Sequence, residues 1–151
     1  MVDVGPFAVG VPRRRLDEDA QRVNLAVPIK VLVVDDQLTM RALIRATLQE
    51  IGFKDIEDAV DGEEGFRTLV QRPAHLVISD FNMPKLDGLS FLRAVRAHEA
   101  TRKTAFIMLT GRADKELVQR AMQFGVNNYI VKPFSPTSLR AKIEEVFGAL
   151  T

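Results

Sequence analysis

Five short apolar runs, each followed by a stretch of helical periodicity, constrain this chain more than any other feature. The runs cover residues 29–34, 56–60, 75–79, 105–109 and 128–131. They are rich in β-branched residues and too short for helices, so they read as strands. The first, third and fourth are nearly continuous in hydrophobicity, as strands covered on both faces are.

Helical stripes fill the gaps. Met40, Leu43, Ile44, Thr47, Leu48 and Ile51 form one, with Gly52 as its stop. Gly65, Phe66, Leu69 and Val70 form a shorter one that ends before Pro73. Leu89, Leu92, Val95 and Arg96 follow Gly88, and Leu117, Val118, Ala121, Met122 and Phe124 precede Gly125. Ser135 then Pro136 reads as a cap with proline in first helical position, ahead of a face of Leu139, Ile143, Val146, Phe147 and Leu150. Strand and helix thus alternate five times. Such alternation forces parallel pairing through right-handed crossovers, which gives a three-layer, doubly wound α/β sheet. Its ligands bind beyond the carboxyl ends of the strands.

Composition narrows the chemistry. The 151 residues fit one domain. The absence of cysteine excludes a disulfide framework, a thiolate nucleophile and a Cys-based metal site. Two histidines, His75 and His98, make a multi-His metal site improbable. A net charge of +1 offers no field for gripping DNA or anionic lipid. No apolar run is long enough to span a membrane, and no export signal follows Arg13, Arg14 and Arg15, so a cytoplasmic protein is expected. Residues 1–27, punctuated by Gly5, Pro6, Gly10 and Pro12, read as a flexible extension, with a short helix over 17–26 and a partner-binding basic arm as further options. Residues 28–151 form the expected domain.

Four strand ends carry chemistry. Asp35 and Asp36 follow the first, Asp80 the third, Thr110 and Gly111 the fourth, and Lys132 and Pro133 the fifth. The second ends at Asp61 and Gly62, which read as a turn. Three carboxylates in one crevice need a cation, and Lys132 offsets one charge. An oxygen-only set selects Mg²⁺ or Mn²⁺. Asp80 can then act as a nucleophile that takes a phosphoryl group. The metal would hold one phosphoryl oxygen, Lys132 a second, and Thr110 with local amides the third. Taken singly, these residues also fit turn formers, helix caps or a solvated lysine. Together at four strand ends they fit a site.

At these residues the chain resembles the receiver domain of bacterial two-component response regulators, and among them the single-domain chemotaxis members. The likeness rests on Val31-Leu32-Val33-Val34-Asp35-Asp36, Asp80-Phe81-Asn82-Met83-Pro84 with Asp87 and Gly88, Leu109-Thr110-Gly111, and Val131-Lys132-Pro133-Phe134. It implies a flavodoxin-like sheet ordered 2-1-3-4-5. It implies that Asp80 accepts phosphate from a partner sensor histidine kinase, and that Asp35, Asp36, Asp80 and the Asn82 backbone carbonyl hold Mg²⁺. Thr110 and Tyr129 become the switch pair, and Lys132 the lysine that pairs with phosphate. Ala113, Lys115, Tyr129 and Lys142 mark the partner face on helix four, strand five and helix five, with a flagellar motor switch protein as the expected target. Tyr129 alone also fits a half-buried strand residue.

Arg112 departs from the glutamate that the chemotaxis members carry there, so Asn82 and Arg112 are expected to tune the phosphate lifetime. His75 and His98 are expected to be structural. With so little chain after the last helix, no DNA-binding domain is expected. The alternatives are a phosphate sink or stress-signalling receiver, a silent scaffold, and a phosphatase of the haloacid dehalogenase type. That last class wants a second acid two residues past the nucleophile, where Asn82 stands.

Overall fold

The computed structural model describes residues 28–111 and 115–148. The strands are β1 (Lys30–Val34), β2 (Asp55–Ala59), β3 (Leu76–Asp80), β4 (Ala105–Thr110) and β5 (Asn128–Val131). They alternate with helices α1 (Leu38–Ile51), α2 (Gly62–Gln71), α3 (Gly88–Ala97), α4 (Lys115–Gln123) and α5 (Pro136–Phe147). The sheet runs β2-β1-β3-β4-β5, parallel throughout, as the family likeness implied. The expectation for residues 1–27 lies outside the described residues, as does Leu150. No helix among the described residues is long and apolar enough to cross a membrane.

Period-two alternation splits each central strand between two cores. Val31, Val33, Leu76, Ile78, Ile107 and Leu109 face Ile44, Leu48, Leu139 and Ile143 of α1 and α5. Leu32, Val34, Val77, Phe106 and Met108 face Leu69, Phe91, Leu92, Val95 and Ala121 of α2, α3 and α4. This is why the first, third and fourth runs are nearly continuous in hydrophobicity. The edge strand β2 is polar instead, and its Glu57 and Asp58 pair with Lys30, Arg72, Arg41 and Arg45. Charge on an edge discourages pairing with other chains.

Local signals behave as their chemistry dictates. Gly52 ends α1 at φ 127° and returns its N–H to the carbonyls of Leu48 and Gln49. Ser135 caps α5 in a reciprocal box with Ser138, ahead of Pro136. The Asp61 turn is also a cap, because its carboxylate accepts from the Glu64 N–H at 2.8 Å.

Several expectations need correction. Leu43, Val70 and Met122 are exposed, because a helix lying on one side of a sheet buries a narrow stripe and these residues flank it. Phe91, absent from the expected stripe, is fully buried. The second strand ends at Ala59, leaving Val60 exposed. Asp80 and Thr110 are the last residues of β3 and β4 and do not follow them, since ladder hydrogen bonds extend through polar residues.

The β3–α3 connection is tight. The Gly88 N–H donates to the Phe81 carbonyl at 2.8 Å. A Cβ at Gly88 would lie 2.5 Å from the Asp80 carbonyl oxygen and 2.8 Å from Met108 Sδ, whereas one at Gly111 meets nothing within 4 Å. Gly88→Ala is therefore expected to cost about 1–3 kcal/mol, and Gly111→Ala to stay within about 0.5 kcal/mol. Urea denaturation checks this, and equal losses at the two positions would contradict it.

Candidate functional site

Strand register assembles the site. Val34 pairs with Ser79, so Asp35 and Asp80, one residue further on, come abreast. Asp80 pairs with Leu109, and Thr110 with Val131, so Thr110 and Lys132 complete the row. The Lys132 N–H closes the row on the Thr110 carbonyl at 2.7 Å, and the peptide from Lys132 to Pro133 is cis.

One oxygen each from Asp35, Asp36 and Asp80 lies within 4.8 Å of the others. Asp35, Asp80 and Thr110 are buried, while Asp36 is exposed. Lys132 Nζ donates to Asp80 Oδ1 at 2.6 Å. Asp35 is held on three sides. Its N–H donates to the Ala59 carbonyl at 3.2 Å, its carbonyl accepts from Arg41 at 2.8 Å, and its Oδ1 accepts from the Gln37 N–H at 2.9 Å. Its Oδ2 is buried with no hydrogen-bond partner.

Burial above all pushes the Asp35 carboxyl above its usual range, with Asp80 and Asp36 adding to the push and the Gln37 N–H and Lys132 opposing it. An orphaned carboxylate oxygen beside two more carboxylates is what a hard divalent cation satisfies, so the donor set fits Mg²⁺. The acidic residues expected from the sequence are thus brought together with Lys132.

The other expected residues sit as follows. Asn82 is exposed in the loop two residues past Asp80. Tyr129 is half-buried against the α2, α3 and α4 core, and Lys142 Nζ lies 5.1 Å from its ring centroid. Lys115 is exposed at the start of α4. Arg112 and Ala113 lie outside the described residues. His75 Nδ1 accepts from the Lys30 N–H at 3.0 Å, and the His98 and Phe66 rings pack edge to face with centroids 5.5 Å apart. Sequence reasoning missed Arg41 and Gln37. Both are polar residues near a helix start, and only the fold reveals that they hold Asp35.

Residues 31–144 match the response regulator receiver domain family. The probable chemotaxis protein CheY of Rhizobium etli is 54% identical over 128 residues, which is 85% of this chain and 99% of that protein. Among solved structures, the chemotaxis response regulator CheY4 of Vibrio cholerae aligns with a TM-score of 0.73 at 35% identity, covering 78% of this chain and 98% of that one. The CheX–CheY–BeF₃–Mg²⁺ complex from Borrelia burgdorferi aligns with a TM-score of 0.76 at 27% identity, covering 82% and 92%. The chain belongs to the response regulator receiver family. Its place within that family is with the chemotaxis regulators of the CheY kind, and phosphorylation, Mg²⁺ at the acidic site and partner binding are general properties of receivers. Receivers are signalling proteins, and the phosphatase alternative falls away with this assignment.

The crowded carboxylates make a sharp prediction. In metal-free protein at neutral pH, Asp35→Asn is expected to be more stable than the wild type, because it removes a buried like charge. A carboxyl raised in the folded state binds its proton there first, so wild-type stability recovers as pH falls through that raised value and the gap narrows. Mg²⁺ at about 100 times its Kd should stabilise the wild type by about 2.7 kcal/mol and leave Asp35→Asn nearly unmoved. Thermal melts with and without Mg²⁺ read both effects.

Proposed function

We propose that Asp80 is the phosphoacceptor of this regulator and that a sensor histidine kinase is its donor. One observation carries the reading: three carboxylates converge within 4.8 Å while a lysine sits 2.6 Å from Asp80. In the transfer, an Asp80 carboxylate oxygen attacks phosphorus, the N–P bond of the phosphohistidine breaks, and the imidazole leaves with its electron pair and takes a proton from solvent. Asp35, Asp36, Asp80 and the Asn82 carbonyl would hold Mg²⁺, or Mn²⁺ in its place. When bound, the ion supplies neutralising charge to a phosphoryl oxygen.

The chain's own groups do the rest. Lys132 leaves Asp80 Oδ1 for a phosphoryl oxygen, trading one anion for a more highly charged one. The Thr110 hydroxyl donates to another. That movement vacates space beside Tyr129, whose ring is already half-buried, and the added charge biases α4, β5 and α5 toward a second arrangement.

Ala113, Lys115, Tyr129 and Lys142 would meet the downstream partner, a flagellar motor switch protein, in the cytoplasm. Asn82 and Arg112 would flank the path of the hydrolytic water and set the lifetime.

Incubation with acetyl phosphate and Mg²⁺ is expected to add about 80 Da, one phosphoryl group, and Asp80→Asn is expected to abolish the adduct. Lys132→Ala should slow labelling by about 10²-fold. An adduct that persists in Asp80→Asn, or none in the wild type, would overturn the assignment.

A further inference from the structure

Arg41 stands in the first turns of α1, close to the acidic cluster, and its side chain is only 13% exposed. Its Nη1 donates to the Asp35 carbonyl at 2.8 Å, while its Nε lies 3.6 Å from Asp58 Oδ2 on β2. Asp58 in turn faces Arg45 at 3.6 Å through its other oxygen. The guanidinium is therefore clamped between an edge-strand carboxylate and a backbone carbonyl at the site. β1 ends at Val34, so the sheet ladder no longer constrains the peptide that joins Asp35 to Asp36. Because that peptide is planar, fixing its carbonyl also fixes the Asp36 N–H and the direction in which the next residue leaves.

We infer that Arg41 is a positioning residue for the cation site: by holding the Asp35–Asp36 peptide, it aims both carboxylates, and Asp58 holds Arg41 in turn. The inference rests on reading Asp35, Asp36 and Asp80 as cation ligands. Charge alone predicts the opposite sign. A guanidinium near a divalent cation repels it, so deleting Arg41 would tighten binding if electrostatics ruled. Positioning predicts that deletion weakens it.

Mg²⁺ titration of the full chain by calorimetry, with thermal melts as a folding control, decides between them. Arg41→Met is expected to weaken Mg²⁺ binding by about tenfold, as loss of an outer partner of a metal ligand does, despite the lost positive charge. Arg41→Lys should recover part of the affinity, since an ammonium can reach the carbonyl but cannot bridge to Asp58 as a fork does. Asp58→Asn should weaken binding by a smaller factor. Unchanged or tighter binding by a folded Arg41→Met protein would overturn the inference. If that variant does not fold, unchanged affinity in Asp58→Asn overturns it. A wild type that binds no Mg²⁺ would overturn the cation-site reading itself, a distinct result.

Discussion

Lys132 reaches from the end of β5 to the end of β3 and meets Asp80 at 2.6 Å. It is one ammonium among three carboxylates. The imbalance is built in, because Asp35 and Asp80 are buried and one Asp35 oxygen has no hydrogen-bond partner. A crevice like this is electrostatically incomplete by itself. A cation would relieve the repulsion, and in the proposed transfer an incoming phosphoryl group would give the ammonium a stronger partner than a single carboxylate. The chemistry of the receiver follows from that incompleteness more than from any one side chain.

An arrangement so unfavourable needs a stiff frame. The two cores grip the sheet from both sides, and the ladder delivers Asp35, Asp80, Thr110 and Lys132 to one rim without freedom to drift apart. The β3–α3 loop is held as firmly. The Gly88 N–H donates to Phe81, the Asp87 carboxylate caps α3 through the Ser90 N–H, and a Cβ at Gly62 would strike the Leu86 carbonyl oxygen at 2.5 Å. Those glycines serve close packing, since neither has a positive φ.

Much of this was legible because sheet and site obey short-range rules. Apolar runs marked the strands, with β5 matching residue for residue, and the parallel topology told where ligands gather, so Asp35, Asp36, Asp80 and Lys132 stood out before any geometry was known. What stayed hidden depends on contacts between elements. Phe91 is buried because Gly65 of α2 lets its ring come close, which no pattern within α3 reveals. The hold of Arg41 on the Asp35 carbonyl exists only once α1 is laid against β1 and β2. Strand ends slipped by a residue because Asp80 and Thr110 look like loop residues, yet backbone pairing is indifferent to side-chain polarity. Tyr129 fell between two readings, and its half-buried ring beside Lys142 fits both a resting strand residue and one poised to turn.

The least anchored helix is the one the proposed switch uses. Among the described residues of α4 only Ala121 is buried, whereas α1 and α3 each bury four or more. The other end of this region is fastened. Arg96 of α3 donates to the carbonyls of Gly125, Arg102 and Thr104 and to Asn127 Oδ1, and Asn127 Oδ1 also accepts from the Phe106 N–H. Burial lowers the tendency of Arg96 to hold its proton, yet several carbonyl dipoles surround it, so its charge is spent on stapling backbone. α4 therefore begins beyond the carboxyl end of β4 with a shallow buried face and runs into a loop that is pinned. Local free energies of opening differ along a chain for reasons of this kind, and moving parts come from the weakly packed end. In the proposed switch, a small displacement at Thr110 would meet less buried packing in α4 than in the sheet, and its effect would be channelled outward to a surface and away from the core.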